Sequence, residues 1–305
     1  MKYFIMLLLV ANVSFASPQM TIYINASPGS GVDNGVRFVS PIIEKEISGQ
    51  VLIINAPGAD GLIGMVKYNQ TKNDCSAILA SHSSIPFLAK TKPDLGFDPM
   101  QQYTPLYGLT NNHILIVVSA NSNLNSITDI VTRYKKTGHL SASAGTRLSG
   151  AEITQLDTVL NTKTDIAYYT MYSQMGIDLV NDKIDYAIIP QGSPALQGLI
   201  DSGKIRIIGV LDSTRSKFYN SVKTVEEQGY PNKMVMFSWN GFFIKSSESQ
   251  ECKAKMIMLI TKVMRSKEAA AIENLPGSPS LYNITGPDLG RVMQNEYNIF
   301  KPHYD

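Results

Sequence analysis

The sequence has few of the residues from which metal centres and catalytic sites are built. It contains two cysteines and four histidines in 305 residues, and their spacing matches no zinc motif. No Gly-x-Ser-x-Gly elbow is present, so a serine hydrolase lacks its characteristic nucleophile turn. We therefore expect no metal, no cofactor and no enzymatic activity. The four histidines are His82, His113, His139 and His303.

An excess of charge of one sign is also absent. The chain has 27 Lys and Arg against 25 Asp and Glu, which gives a formal net charge of +2. A nucleic-acid-binding protein needs a basic face, and here charges of both signs are scattered along the chain. We expect no nucleic-acid partner.

Long apolar runs are missing except near the N terminus. Residues 4–13 form an apolar run that follows Lys2 and precedes the small-residue pattern of residues 14–16. This is the layout of a cleavable secretory signal over residues 1–16, with cleavage between Ala16 and Ser17. The run is short for a bilayer span, and an uncleaved anchor is the alternative. We expect an exported protein.

The two cysteines, Cys75 and Cys252, leave two interpretations open. In an exported chain they can pair, but the sequence does not show whether their Cα atoms come within about 7 Å of each other. Two separate buried thiols are the other interpretation.

Strand-like runs alternate with helical patterns, which predicts an α/β fold built from βαβ units. There are two such series. The second occupies residues 121–221, and the chain then returns to the first, so that residues 17–120 and 222–305 form one discontinuous domain. Domains joined by two crossings usually hinge about a cleft. Pro41, within the first helical pattern, should kink that helix or split it.

Three turns rich in small residues each follow a strand-like run and precede a helix: residues 27–33, 55–61 and 141–146. Helix starts of this kind carry unpaired N–H groups and a positive dipole end, which attract carboxylate or phosphate. A dinucleotide fingerprint is not met, because Gly35 comes one residue too late. Glycine turns also serve in any α/β protein without binding anything. Because sites in open α/β sheets lie at the carboxyl ends of strands, we expect a small-anion site in the cleft.

A series of motifs carries a family resemblance, in order along the chain. The first half contains Gly29-Ser-Gly-Val-Asp33 with Arg37, Asn55-Ala-Pro-Gly-Ala-Asp-Gly61, Phe97-Asp-Pro99, Tyr103-Thr-Pro105 and Ser143-Ala-Gly145. The second half contains Gly203-Lys-Ile-Arg206, Thr214-Arg215, Thr224-Val-Glu-Glu-Gln-Gly-Tyr-Pro231 and Trp239-Asn-Gly-Phe242. In this set and order the chain resembles the Bug-type periplasmic receptors of tripartite tricarboxylate transporters.

The resemblance implies a two-domain periplasmic-binding-protein fold of type II-like form, with mixed sheets, flanking helices, a hinge and a central cleft. It implies a monomeric periplasmic receptor that binds a small organic anion and delivers it to membrane transporter subunits. The implied ligands are di- or tricarboxylates, amino acids and aromatic acids. An adaptor that docks a membrane sensor in a ligand-dependent way is the alternative, and a secreted enzyme is a further one.

The resemblance also assigns residues to the site. The first turn would face the ligand through Pro28, Gly29, Gly31 and Asp33, with Asp33 bracing the turn or holding water rather than touching a carboxylate. The cleft walls and the opposite domain would contribute Ser81, Ser143, Gly145, Thr146, Ser149 and Tyr169.

Departures from the family pattern leave the ligand open. The family continues Ser-Ala-Gly with Asn-Gly-Thr-Ser-x-His, whereas this chain has Thr146-Arg-Leu-Ser-Gly-Ala151. Arg147 places guanidinium donors where others have glycine, so we predict that it contacts the ligand carboxylate, with a solvent-facing Arg147 as the alternative. The usual Tyr-Lys-Gly becomes Tyr169-Thr-Met171, and Asp182 replaces a glycine. A receptor that has lost binding is a further alternative.

Overall fold

The chain folds into two five-stranded mixed sheets, each covered by helices. The computed structural model describes residues 19–169, 171–231, 238–272 and 280–300. The predicted signal, residues 1–16, lies outside the described residues. None of the described helices is both long enough and apolar enough to cross a membrane.

Strands and helices alternate as the sequence predicts. The described strands are β1 (Gln19–Ile24), β2 (Gln50–Asn55), β3 (Ala77–His82), β4 (Tyr103–Asn112), β5 (Ile114–Ser119), β6 (Ser141–Ala144), β7 (Asp165–Tyr168), β8 (Tyr186–Pro190), β9 (Ile205–Val210) and β10 (Ser238–Lys245). The described α-helices are α1 (Gly31–Ile47), α2 (Leu62–Asn69), α3 (Ser84–Thr91), α4 (Pro99–Gln102), α5 (Ile127–Thr137), α6 (Arg147–Leu160), α7 (Tyr172–Val180), α8 (Pro194–Asp201), α9 (Gln250–Met264), α10 (Lys267–Ile272) and α11 (Gly286–Ile299).

The two sheets share one topology. The first has the order β2-β1-β3-β10-β4 and the second β7-β6-β8-β5-β9. In the first sheet β1 runs parallel to β2 and β3, while β10 is antiparallel to β3 and β4. In the second sheet β6 runs parallel to β7 and β8, while β5 is antiparallel to β8 and β9. We call each sheet with its helices a lobe.

The chain passes between the lobes twice. The first crossing is a single residue, His113, between β4 of the first sheet and β5 of the second. After β9 the chain stays on the second lobe, where Thr224 bridges to Val210 and the Gln228 amide donates to the Ile208 carbonyl. We therefore propose that the second domain runs from residue 114 to residue 231. The predicted limits, 121 and 221, miss β5 because the sequence does not show which sheet a strand joins.

The apolar residues of α1 recur at intervals of three and four, and the face that they form is buried. Val36, Val39 and Ile43 are fully buried in the core of the first lobe. The expectation that Pro41 splits this helix is wrong, since α1 continues through it. Pro41 has no N–H to donate to the Arg37 carbonyl, and the Ser40 hydroxyl contacts that carbonyl instead, at 3.3 Å.

Cys75 and Cys252 form a disulfide, with their Cα atoms 5.6 Å apart. The sequence left this pairing open. Both residues pack against the core of the first lobe.

Candidate functional site

The first glycine turn connects β1 to α1 and is held by Asp33. The Asp33 carboxylate accepts hydrogen bonds from the Gly29 N–H at 2.8 Å, from Arg37 Nε at 2.9 Å and from the Asn55 amide at 3.0 Å. Burial alone raises the pKa of Asp33, but these donors outweigh burial and hold the pKa below its usual value. Asp33 is therefore an ionised group inside the turn, and its oxygens are already engaged by the protein.

The start of α1 presents open donors. The Ser30 hydroxyl caps the helix by accepting from the Asp33 N–H. In the described part of the chain, the N–H groups of Gly31 and Val32 have no acceptor. These groups stand at the positive end of a 17-residue helix, where an anion is stabilised.

Two buried asparagine amides flank the same helix end. A Cβ atom built on Gly31 would lie 3.3 Å from Asn112 Nδ2 and 3.8 Å from Asn240 Nδ2. Asn112 ends β4 and Asn240 lies near the start of β10, and both are buried. The Asn240 amide donates to Thr110 Oγ1. Sequence reasoning missed both asparagines, because only the sheet order brings β4 and β10 next to α1.

The second turn, residues 55–61, packs against the first and against the end of β3. Gly61 and Gly64 lie so close to Asn25 that a Cβ on either would come within 2.4 to 2.6 Å of it. The Asn25 amide in turn donates to the Ser81 hydroxyl at 2.9 Å. Ser81 is fully buried. The carboxyl ends of β1 and β3 and the second turn therefore form one continuous surface.

The turn of the second lobe is capped from within. The Thr146 N–H donates to Ser149 Oγ at 3.0 Å, and the Ser149 N–H donates to Thr146 Oγ1 at 3.1 Å. This reciprocal pair is a capping box at the start of α6. The spacing Thr-x-x-Ser in the sequence is the local signal for such a cap. Both hydroxyls, predicted to face the ligand, thus have partners within the turn.

Ser143 and Gly145, unlike Thr146 and Ser149, take no part in the capping box. Ser143 is fully buried, and its Oγ has no hydrogen-bond partner among the described residues. A buried hydroxyl without a partner is unfavourable unless another group supplies the bond. Gly145 packs against Tyr172, whose hydroxyl would lie 2.7 Å from a Cβ built on Gly145. Tyr172 is a further residue that the sequence reasoning missed.

The two lobes contact each other through these turns. Asp60, in the second turn of the first lobe, accepts a hydrogen bond from the Arg147 N–H at 3.0 Å, and its other carboxylate oxygen lies 3.9 Å from Arg147 Nε. An apolar cluster supports the contact: Phe87 and Phe300 of the first lobe pack with Ala151 of α6. The turns of residues 55–61 and 143–149 therefore lie side by side.

Two buried carboxyl groups lie near this contact. Glu152 on α6 is 4% exposed, and burial raises its pKa to about 8. Burial also raises the pKa of Glu296 on α11, although Glu296 accepts a hydrogen bond from Trp239 Nε1 at 2.9 Å. The charge of Glu152 acts on Glu296 and on Tyr172. Burial thus favours the neutral form of both groups, and an acid from each lobe is buried in one region.

Of the remaining predicted site residues, Pro28 and Gly29 are exposed on the first turn, and Arg147 is largely exposed at the start of α6. The Tyr169 hydroxyl donates to Asp178 Oδ2 at 2.9 Å, within the second lobe. The structure brings the second turn of the first lobe, residues 55–61, against the turn of the second lobe, while the ligand contacts of individual residues stay predictions.

A family model described as the tripartite tricarboxylate transporter family receptor matches residues 36–299. This match covers most of the chain. The protein belongs to that receptor family. Family members are periplasmic receptors rather than enzymes, so the predictions of the family and of a non-enzymatic protein are confirmed.

Two proteins of similar sequence align over most of this chain. BugT of Bordetella pertussis is 24% identical over 272 residues, which cover 87% of this chain and 81% of BugT. A protein from the ttuE-ttuC' intergenic region of Agrobacterium vitis is 25% identical over 250 residues, covering 81% of this chain and 71% of the relative.

Solved structures confirm the predicted fold class. MatC from Rhodopseudomonas palustris with bound malate superposes with a TM-score of 0.80 at 16% identity, covering 92% of this chain and 97% of MatC. Another R. palustris protein, solved with adipate, superposes with a TM-score of 0.81 at 17% identity, covering 92% of this chain and 94% of that protein. The periplasmic binding protein BugD superposes with a TM-score of 0.79 at 17% identity, covering 93% of this chain and 96% of BugD. The described architecture is thus that of a two-lobed periplasmic binding protein.

Proposed function

We propose that this protein is a periplasmic receptor that captures a small carboxylate between its lobes and delivers it to a tripartite tricarboxylate-type transporter. The observation that carries the proposal is the bond from the Arg147 N–H to the Asp60 carboxylate. One backbone donor at the start of α6 already bonds a carboxylate that reaches it from the opposite lobe. The malate and adipate in two structures of the same fold support a carboxylate ligand.

The ligand would be held mainly by neutral donors. On the first lobe these are the N–H groups of Gly31 and Val32, with Ser81 in the wall. On the second lobe they are the unpartnered Ser143 hydroxyl and the N–H of Gly145. Such fixed dipoles stabilise an anion without a titrating side chain.

The other residues predicted for the site have supporting or peripheral roles in this proposal. Asp33, Thr146 and Ser149 keep the two turns in shape through the bonds described above. Pro28 and Gly29 form the outer rim of the first turn, and Tyr169 supports the wall of the second lobe. Arg147 contributes its N–H at the contact between the lobes.

Capture and delivery follow from the two-lobed form. A ligand that contacts both turns favours the closed arrangement, by as much as its affinity for the closed form exceeds that for the open form. We propose that the receptor acts as a monomer, after removal of residues 1–16, and that transporter subunits recognise the closed lobes. Loss of acid uptake by cells that lack the protein, restored by its expression, is the expected result.

A thermal-shift screen of carboxylic acids on the mature chain tests the binding step, because a ligand that binds only the folded protein raises its Tm. We expect at least one small carboxylate to raise the Tm, with binding then measured by calorimetry. Ser143→Ala should weaken that binding about tenfold, a typical effect of a lost hydrogen bond to a charged group. Ser202→Ala, an exposed serine of the second lobe, is the matched control. Shifts by neutral sugars and by no acid would contradict the proposal.

A further inference from the structure

We propose that Asp60 determines which acids the cleft accepts, by holding a fixed carboxylate at the start of α6 where a second ligand carboxylate would otherwise bind. The receptor would then prefer a monocarboxylate to the dicarboxylate of the same length. This inference rests on the proposed function and concerns the same cleft.

The first argument is the position of the Asp60 carboxylate. One oxygen accepts the N–H of Arg147, the first residue of α6, and the other lies 3.9 Å from Arg147 Nε. Asp60 thus already accepts the Arg147 N–H, the donor that a ligand carboxylate would use at this helix end. Gly61 beside it packs on Asn25, which bonds Ser81, and Gly145 lies two residues before Arg147. Residues of the proposed site therefore flank Asp60 on both lobes.

The second argument is charge. The Asp60 side chain is 14% exposed, whereas that of Arg147 is 66% exposed. The carboxylate is therefore the more buried partner, and water screens its charge less than that of the guanidinium. His82 does not neutralise Asp60, because burial lowers the pKa of His82 to about 4, against the opposing effect of the Asp60 charge. A second carboxylate at this end of the cleft would meet a like charge.

The third argument is that the backbone fixes Asp60 in place. Ala59 and Asp60 have positive φ angles of 48° and 55°, and Gly58 and Gly61 on either side have φ of 119° and 96°. Asparagine and glycine tolerate this conformation, so Asp60 can be replaced without straining the turn.

The test compares monoacids with matched diacids by calorimetry: butyrate with succinate, hexanoate with adipate, and benzoate with terephthalate. The proteins are the mature wild type, Asp60→Asn, and Asp94→Asn as a control that removes the same charge from an exposed loop of the first lobe. Asp60→Asn retains an oxygen that can accept the Arg147 N–H and removes only the charge. Asp60→Gly is the second variant, should the first fold poorly.

We expect the wild type to bind at least one monoacid ten times or more tightly than its diacid. Asp60→Asn should reduce that ratio at least tenfold, equivalent to about 1.4 kcal/mol, and Asp94→Asn should leave it unchanged. A wild-type preference for diacids, or a ratio that Asp60→Asn and Asp60→Gly do not change, would overturn this inference and leave the proposed function standing. Failure of every protein to bind any acid would overturn both.

Discussion

Cys75 and Cys252 join two parts of the first lobe that are 177 residues apart in the chain, so their disulfide closes a loop that contains the whole second lobe. Cys75 precedes β3, and Cys252 lies in the first turn of α9. The bond therefore fixes α9 to the sheet of the first lobe independently of the long excursion between them.

Replacing both cysteines with serine should lower the free energy of unfolding. A cross-link over a loop of this size restricts the unfolded chain, and loss of a native disulfide typically costs about 2–5 kcal/mol. Denaturant unfolding of the wild type and of the double variant measures the difference. The wild type in the presence of a reductant should approach the variant, and equal stability with and without the reductant would contradict the prediction.

Asp33→Ala should destabilise the first lobe by about 2–3 kcal/mol, because it leaves the Gly29 N–H and the Asn55 amide without their acceptor. The pKa of Asp33 is lowered in the folded protein, so its contribution is present above the unfolded pKa of about 3.8 and is lost as the pH falls through the folded pKa. The difference between variant and wild type, measured by denaturant unfolding, should therefore be larger at pH 7 than at pH 3. The exposed Asp94→Ala should show no such dependence.

Glu152→Gln should change how stability depends on pH. The pKa of Glu152 rises on folding from 4.5 to about 8 because the group is buried, so the folded protein holds this proton more tightly. The contribution of Glu152 to stability is then fully present below pH 4.5 and is lost as the pH rises toward 8, by about 1.4 kcal/mol per pH unit for a difference of one proton.

Unfolding measured from pH 5 to pH 8 should show a smaller decline for Glu152→Gln than for the wild type. Glu296 has its pKa raised in the same direction, so part of the decline should persist in the variant. Glu226→Gln, at an exposed position of the second lobe, should follow the wild type. Identical slopes for Glu152→Gln and wild type would refute the prediction.

Gly64→Ala should destabilise the protein by about 1–3 kcal/mol, the usual cost of overpacking. A Cβ at this position would lie 2.6 Å from Asn25 Cα and 2.8 Å from the Ala56 carbonyl oxygen, and neither backbone can yield easily. Gly198→Ala on α8 is the matched control, since a Cβ there would meet nothing within 4 Å. The control should stabilise the protein by a few tenths to about 1 kcal/mol, as alanine favours helix. Denaturant unfolding of both variants distinguishes the two effects.

Features that depend on neighbouring residues could be predicted well. The spacing of Val36, Val39 and Ile43 at intervals of three and four predicted the buried face of α1. Ser126 is a residue type that favours the N-cap, and it caps α5 by accepting from the Asp129 N–H. The expectation that Pro41 splits α1 was wrong, and the Ser40 hydroxyl donates to the Arg37 carbonyl that the proline leaves unpaired.

The site was predictable only in part, because its residues are held by partners that are distant in the sequence. Its turns stand out by composition, but the partners of their polar groups come from elsewhere in the chain. Asp33 accepts a hydrogen bond from Asn55, and Asn25 donates one to Ser81. Asn112 and Asn240 approach Gly31 only because β4 and β10 are neighbours in the sheet. No local sequence pattern predicts these contacts.

The sequence alone determined the alternation of strands and helices, the positions of the small-residue turns and the family to which the chain belongs. Only the tertiary structure decided that β5 joins the second sheet, that Cys75 meets Cys252, and that Asp60 meets Arg147 from 87 residues away. The reason is one of range: backbone preferences, caps and apolar spacing act over a few residues. Contacts between distant residues depend on how whole sheets and helices pack, which no short stretch of sequence specifies.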